Sequence, residues 1–241
     1  MRYKAIIAYE GTQYSGYQTQ EKETTIQGTF EKALRLMTQL EIPTFAASRT
    51  DKGVHALYQV THFDAPMDIP NEKWIYGLNI RLPGDIRVLK VAKVKDTFHA
   101  RFDAKSKIYT YKISKKEVSA FESNHEVYVR NFDINLVKDE LEDIVGTHDF
   151  SAFSPNKENK PPVKTIYSFT YKETKTHYIF KIHGNHFLRY MVRSIMGNVI
   201  AIATNKKPKG HLKEMLETKN RLLTAKTAPA CGLYLTRIYY K

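Results

Sequence analysis

Only one cysteine, Cys231, occurs in 241 residues. That scarcity excludes internal disulfides, cysteine-based zinc sites and iron–sulfur clusters. No apolar run approaches the roughly 20 residues that a membrane span needs. The opening stretch, MRYKAIIAYEGT, has no apolar core and no small-residue cleavage site, so it is not a secretory signal. No phosphate-cradling P-loop and no dinucleotide fingerprint occurs. The expectation is a cytoplasmic protein. Acid is scarce too: 25 Asp and Glu stand against 38 Lys and Arg, a formal charge of +13. Such a chain suits a polyanionic partner, because clustered cations gain by displacing counterions from phosphates. The 16 tyrosines add rings on which bases can stack. A lysine-rich proteome would give the same composition, so charge alone favours nucleic acid only slightly.

A chain this long buries about 70–75% of the surface its unfolded form exposes. Arg2 to Tyr9 alternates with period two and predicts a strand. A polar loop, Gly11 to Glu23, follows. Thr24 and Gln27 fit a capping box. Behind them Ile26, Phe30, Leu34, Met37 and Leu40 mark an amphipathic helix ended by Pro43. Short strands are expected at Thr44 to Thr50 and Val60 to Phe63, a helix at Asn71 to Ile80, and a strand at Ile86 to Val94. Arg101 to Lys116 is strand-rich and basic. Asp133 is placed to cap a second amphipathic helix with Val137, Leu141, Ile144 and Val145, stopped by Gly146. Ser154 to Lys164 reads as a loop. Ile166 to Lys172 and His177 to His183 form a predicted β-hairpin. Asn185 is placed to cap a third helix bearing Phe187, Met191, Ile195, Val199 and Ile202. A shorter helix near Leu212 to Leu216 and a strand, Leu233 to Tyr239, close the chain.

Strands do not alternate regularly with helices, so a doubly wound parallel sheet is not expected. An α+β fold fits better: two similar α/β halves with mixed or antiparallel sheets. The boundary falls near Ala104. Residues 1–104 form the N-terminal half, and residues 105–241 form a C-terminal half carrying the basic stretch.

The segment Ala46-Ala47-Ser48-Arg49-Thr50-Asp51-Lys52-Gly53-Val54-His55-Ala56 carries the candidate chemistry. A strand leaves the core, meets three charges, and turns at a glycine. On an extended chain Arg49 and Asp51 face the same side. By spacing alone, an ordinary surface ion pair at a turn is the commoner reading.

The segment resembles the G-R-T-D-x-G-V-H-A signature of the tRNA pseudouridine synthase A family. Tyr9-Glu10-Gly11-Thr12-Gln13-Tyr14-Ser15-Gly16-Tyr17-Gln18 is similar to its Y-D-G-T-x-Y-x-G-W-Q opening. Phe98-His99-Ala100-Arg101-Phe102, followed by Ala104-Lys105 and Tyr109, resembles F-H-A-R-F-x-A-K-x-R-x-Y. Gly146-Thr147-His148-Asp149-Phe150-Ser151-Ala152-Phe153 resembles G-x-H-D-F-x-A-F. Phe187-Leu188 with Met191-Val192-Arg193-Ser194-Ile195 resembles F-L-x-x-M-V-R-N-I. Thr227-Ala228-Pro229 with Gly232-Leu233-Tyr234-Leu235 resembles T-A-P-x-x-G-L-Y-L. The blocks keep the family's order across nearly the whole chain. Tyr17, Ser48, Lys52 and Ser194 depart from it, and none is a reacting group.

The resemblance implies a pseudouridine synthase-like fold, with the two halves joined into one large central sheet flanked by helices. It implies an isomerase that detaches uracil from ribose, rotates it, and rejoins C5 to C1′, without cofactor or metal. Asp51 is then the catalytic nucleophile, and Arg193 matches the family arginine that pairs with it. Arg49 matches the arginine that meets a phosphate or fills the vacated stack. Tyr109 matches the tyrosine stacked on the uracil and linked to movement of the C5 proton. Leu233 matches an apolar residue packed on the base. Lys105 and Lys107, in the basic stretch, are expected to contact phosphates. The implied substrate is the tRNA anticodon stem-loop, about positions 38–40, reached by base flipping. A homodimer is implied as well. Competing classes are a diverged paralogue modifying another RNA, a non-catalytic RNA-binding protein or tRNA chaperone, and a glycosidase-like hydrolase. The non-catalytic protein would not need Asp51, Tyr109 and Arg193 together. The hydrolase usually needs two placed carboxylates, and Asp51 has no second acid in its motif. His183 and His186 are spaced as a metal fragment, but exposed or satisfied histidines are far commoner.

Overall fold

Alternating burial along the first residues makes β1, Arg2–Tyr9, with Tyr3, Ala5, Ile7 and Tyr9 all in the core. The computed structural model describes residues 1–155 and 161–241. These fall into two compact units. The first comprises Met1–Lys105 and Tyr234–Lys241, and the second Ser106–Leu233.

In the first unit β1 lies antiparallel between β3 (His55–Asp64) and β4 (Ile86–Val94). The short β2 (Thr44–Ala46) pairs antiparallel with β3, Phe45 opposite His62. The last strand, β10 (Leu233–Tyr239), runs parallel to β3 with Tyr234 opposite His55. Two helices, α1 (Ile26–Thr38) and α2 (Asn71–Asn79), bury Ile26, Phe30 and Leu34, and Trp74 and Leu78. Their rings meet those of the sheet: Trp74 lies 5.3 Å from Tyr3 and 5.2 Å from Phe63. Each such side chain contributes about 1.5–3 kcal/mol by leaving water.

The helix start is shifted from the capping-box expectation. Thr25, not Thr24, caps α1, its side chain accepting the Gly28 N–H. Gln27 instead donates to Glu31 and to the Thr44 carbonyl, tying α1 to β2. The helix ends at Thr38, before Pro43, because Gln39 turns left-handed at φ 61°. β2 stops at Ala46, short of the expected Thr50, where the chain leaves the ladder for a loop.

The second unit holds β5 (Ser106–Ser114), β6 (Val127–Tyr128), β7 (Gly146–Asp149), β8 (Val163–Glu173) and β9 (His177–Gly184). β8 and β9 form the expected hairpin, β9 also pairs with β5, and β7 with β8. β6 adds to β5 in parallel. Helix α3 (Met191–Ala203) is apolar and buried nearly all round, and α4 (His211–Thr218) follows. Each unit thus sets helices beside a mixed sheet, an α+β fold.

Two expected helix signals act otherwise. Asn185 does not cap α3; its Oδ1 accepts the Thr165 and His186 N–H groups. The helix begins at Met191, after Tyr190 at φ 61°. After Asp133 there is no α-helix but two 3-10 runs, Ile134–Leu136 and Lys138–Ile144, broken at Val137 (φ −131°). Leu141 and Ile144, three apart, share a face in either helix type. Of the loop expected at Ser154 to Lys164, residues 156–160 lie outside the described residues, and β8 already begins at Val163. No helix among the described residues is long and apolar enough to cross a membrane.

Candidate active site

The Asp51 loop begins where Ala47 donates its N–H to Val60 O (2.8 Å). Gln59 Nε2 then donates to Ser48 O at 2.6 Å. Thr50 is buried, with Oγ1 2.8 Å from the Tyr9 hydroxyl. The Val54 N–H donates to Asp51 O (3.1 Å), closing a turn that Gly53 permits at φ 77°. Asp51 is half-buried at its apex, and Arg49 and Lys52 are exposed. The side chain of Arg49 forms no hydrogen bond or ion pair among the described residues, so it is not the ordinary ion-pair partner of Asp51.

The Gly11 to Gln18 loop clamps this turn. Thr50 O accepts the Tyr17 N–H at 3.0 Å. A Cβ on Gly16, at φ +95°, would stand 2.9 Å from Thr50 O, and one on Gly11 would stand 2.1 Å from Val54 O. Only glycine lets the two loops approach so closely. His55 fastens the far side. Its Nδ1 accepts the Gly11 N–H at 3.0 Å, and its ring stacks on Tyr234 at 4.7 Å. Glu10 Oε1 lies 3.4 Å from the same nitrogen. Because that nitrogen accepts from Gly11, the carboxylate is a neighbour there rather than an ion-pair partner.

The other site residues except Lys105 belong to the second unit. Tyr109 is buried on β5 opposite Ile182, its ring edge-on to Phe187 at 5.1 Å. Tyr111 donates its hydroxyl to Pro229 O at 2.9 Å, and burial pushes its pKa up, so it stays a donor. A Cβ on Gly232 would stand 2.7 Å from the Tyr111 ring. Leu233, next along, is buried.

Arg193 sits in the first turn of α3. Its Nε donates to Ala228 O (2.9 Å), and the Ala228 N–H donates back to Arg193 O (3.0 Å). The reciprocal pair fixes the plane of the guanidinium, which lies 5.6 Å from the Tyr190 ring. One turn on, a Cβ on Gly197 would stand 2.2 Å from Lys226 O. Asn198, fully buried, donates to Ser194 O and Thr224 Oγ1 and accepts the Ala225 N–H. Its Oδ1 also lies 3.2 Å from His211 Nε2. Residues 224–228 are therefore laced to α3 between Arg193 and Asn198, less than two turns of helix. Ser194 joins this lacing through Thr224 Oγ1 at 3.0 Å. Sequence reasoning missed Gly197, Asn198 and His211. The signal was a glycine and an asparagine inside an otherwise apolar helix.

The expected phosphate contacts separate. Lys105 is exposed, but Lys107 is only 6% exposed, opposite Gly184. Among the described residues no group of His, Cys, Asp and Glu is arranged to hold a metal. His183 instead bonds Ser106 Oγ at 2.9 Å.

The family model described as tRNA pseudouridine synthase matches residues 5–103 and 141–241. The chain belongs to the tRNA pseudouridine synthase family. It is 44% identical over 239 residues to tRNA pseudouridine synthase A of Phytoplasma mali (strain AT), covering 99% of this chain and 98% of that one. It is 39% identical over 245 residues to tRNA pseudouridine synthase A of Bacillus subtilis (strain 168), covering 100% and 99%. A solved Cbf5-Nop10-Gar1 complex overlays at a TM-score of 0.36 with 9% identity, covering 96% of this chain and 57% of that one, too slight to decide anything. As a tRNA pseudouridine synthase the chain is an isomerase. Its family match takes in Arg49, Asp51, Arg193 and Leu233, whereas Lys105, Lys107 and Tyr109 fall between the matched segments.

Proposed function

We propose that this isomerase converts uridine to pseudouridine in the anticodon stem-loop of tRNA, about positions 38–40, after flipping the target nucleotide out of its stack. The Asp51 carboxylate is the nucleophile. The C1′–N1 bond breaks, the uracil turns, C1′–C5 forms, N1 takes a proton and C5 loses one. Atoms balance within the nucleotide, so no cofactor is consumed. Burial would raise the pKa of a carboxylate and neutralise it, and positive charge opposes that; Arg193 has this role. Tyr109 stacks on the uracil, Leu233 packs against it, and Arg49 serves the phosphate or the vacated stack. Lys105 and other exposed lysines hold phosphates without reading sequence. A cytoplasmic homodimer is part of this reading and rests on the family resemblance.

The observation that carries it is the Asp51 turn, gripped by Gly11, Gly16 and His55 in a geometry only glycine allows. The test is to map pseudouridine in tRNA from cells with and without this gene. Loss at those positions supports the reading, and full retention overturns it.

Tyr109→Phe is expected to lower turnover more than it weakens tRNA binding, because the ring survives and only the hydroxyl goes. Turnover at the wild-type level in a hydrogen-release assay would leave Tyr109 a stacking platform alone. RNA affinity is expected to fall steeply with salt, each neutralised phosphate adding about 0.9 to the logarithmic slope on duplex and about 0.7 on single strands. A flat titration would remove the electrostatic argument.

A further inference from the structure

A second cluster of rings lies in the first unit, away from the Asp51 turn. Phe45, on β2, stacks on His62 at 5.1 Å and 23°. His62 meets His99 at 4.7 Å, and His99 meets Phe102 at 4.2 Å and 33°. His62 is buried, yet both ends of the row face solvent: Phe45 is 49% exposed and Phe102 73%. His62 lies seven residues along β3 from His55, roughly 20 Å at the rise of a strand.

Phe102 is held in this exposed position. His99 Nδ1 accepts the N–H groups of Arg101 and Phe102, and His62 Nδ1 accepts that of Ala100. The Asp103 carboxylate accepts the His99 N–H, and Tyr240 donates to Ala100 O at 2.7 Å. Burial, with Arg2 and His99 nearby, holds His62 down at about 4, so the stack is neutral there at physiological pH. An isolated exposed phenylalanine is unremarkable. One fastened at the end of a row of packed rings, edge-on at His62–His99 and tilted at His99–Phe102, is preorganised for another flat partner.

The surroundings are cationic. The Arg101 guanidinium lies 5.9 Å from the Phe102 ring and forms no ion pair among the described residues. Exposed Lys95 and Lys93 border an open depression of about 630 Å³ that also reaches Phe98 and Asp103. Lys4 Nζ stands 5.5 Å from the Phe98 ring. Of the nearby carboxylates, Asp64 pairs with Arg2 and Asp68 with Lys93, and Asp96 is exposed. A stacking ring beside the Arg101 guanidinium matches a nucleobase with its phosphate.

We propose that Phe102 is a stacking platform for an unpaired base of the RNA substrate, with Arg101 on the adjoining phosphate. This rests on the reading of the chain as a tRNA-binding enzyme. It adds a contact remote from the reacting uridine.

The test compares wild type with Phe102→Ala, Phe102→Trp and Arg101→Gln, using an unmodified full-length tRNA transcript. Circular dichroism and thermal melting check each fold. Phe102→Ala is expected to raise Kd about tenfold, and Phe102→Trp to stay within about twofold of wild type because it restores a ring. Arg101→Gln is expected to reduce the logarithmic salt slope by about 0.7–0.9. Unchanged affinity in Phe102→Ala, or equal weakness in Phe102→Trp, overturns the proposal. So does a dimer in wild type that sediments as a monomer in Phe102→Ala, which would give the surface to a second copy of the chain. Ring-dependent tRNA binding without pseudouridine formation in wild type would sink the enzymatic reading and spare this one.

Discussion

Asp51→Asn is expected to lower pseudouridine formation by at least about a thousandfold while tRNA binding survives. Asparagine keeps the shape and hydrogen-bonding capacity of the side chain. It removes the negative charge that the proposed mechanism requires, so the loss falls on chemistry. The turn itself is held by backbone and glycine contacts, Val54 to Asp51 and Tyr17 to Thr50, which the substitution leaves in place. On a chain of charge +13 one lost anion changes the field little, and near phosphate it favours RNA. Three readings on one sample decide it: circular dichroism, tRNA affinity, and hydrogen release from C5-labelled uridine. Release near the wild-type rate from a folded, tRNA-binding variant would refute the assigned nucleophile.

Gly197→Ala should cost both stability and turnover, against the ordinary preference of helices. Inside a helix alanine is favoured over glycine by about 1 kcal/mol. Here the added carbon would stand 2.2 Å from Lys226 O, with Ala228 N at 3.1 Å. Backbone must move, and overpacking of this kind costs about 1–3 kcal/mol. A net loss of about 1 kcal/mol lowers Tm by roughly 3 °C in a chain this size. The moving segment contains Ala228, which fixes the Arg193 guanidinium. A displacement near 1 Å there is worth about a hundredfold in rate. Gly210→Ala is the comparison. Nothing lies within 4 Å of its added carbon, and only φ +85° opposes it, so the loss is about 1–2 kcal/mol with turnover retained. A Gly197→Ala enzyme as active and stable as wild type would mean that the 224–228 segment does not set the arginine.

Where alternation or helical period was strong, the sequence was readable. β1, the β8–β9 hairpin and α2 lie where the apolar positions put them. The motif residues were readable by resemblance, but not the reason for their glycines. Gly11 is required because of Val54 O, and no spacing along the chain reveals that approach. The burial of Lys107 was not readable either, for a related reason. β5 is covered along both faces, Tyr109, Thr110 and Tyr111 being buried in succession, so charge did not mark an exposed side. Asn198 looked like an interruption of an apolar helix. Its four polar contacts become visible only once residues 224–225 and His211 fold over it.

The return of β10 to the first unit has a consequence for biosynthesis. The strand beside β3, with the Tyr234 ring stacked on His55, is made only after the whole of the second unit. At about 5–20 residues per second, the ribosome spends on the order of 10 s on the intervening unit before that strand exists. During that interval the segment of β3 next to the Asp51 turn has an open edge, the kind of surface that recruits other strands. A nascent or prematurely terminated chain therefore carries every residue of the Asp51 motif without the support beneath it. Synthesis of β10 is the event that finishes the unit bearing the Asp51 turn.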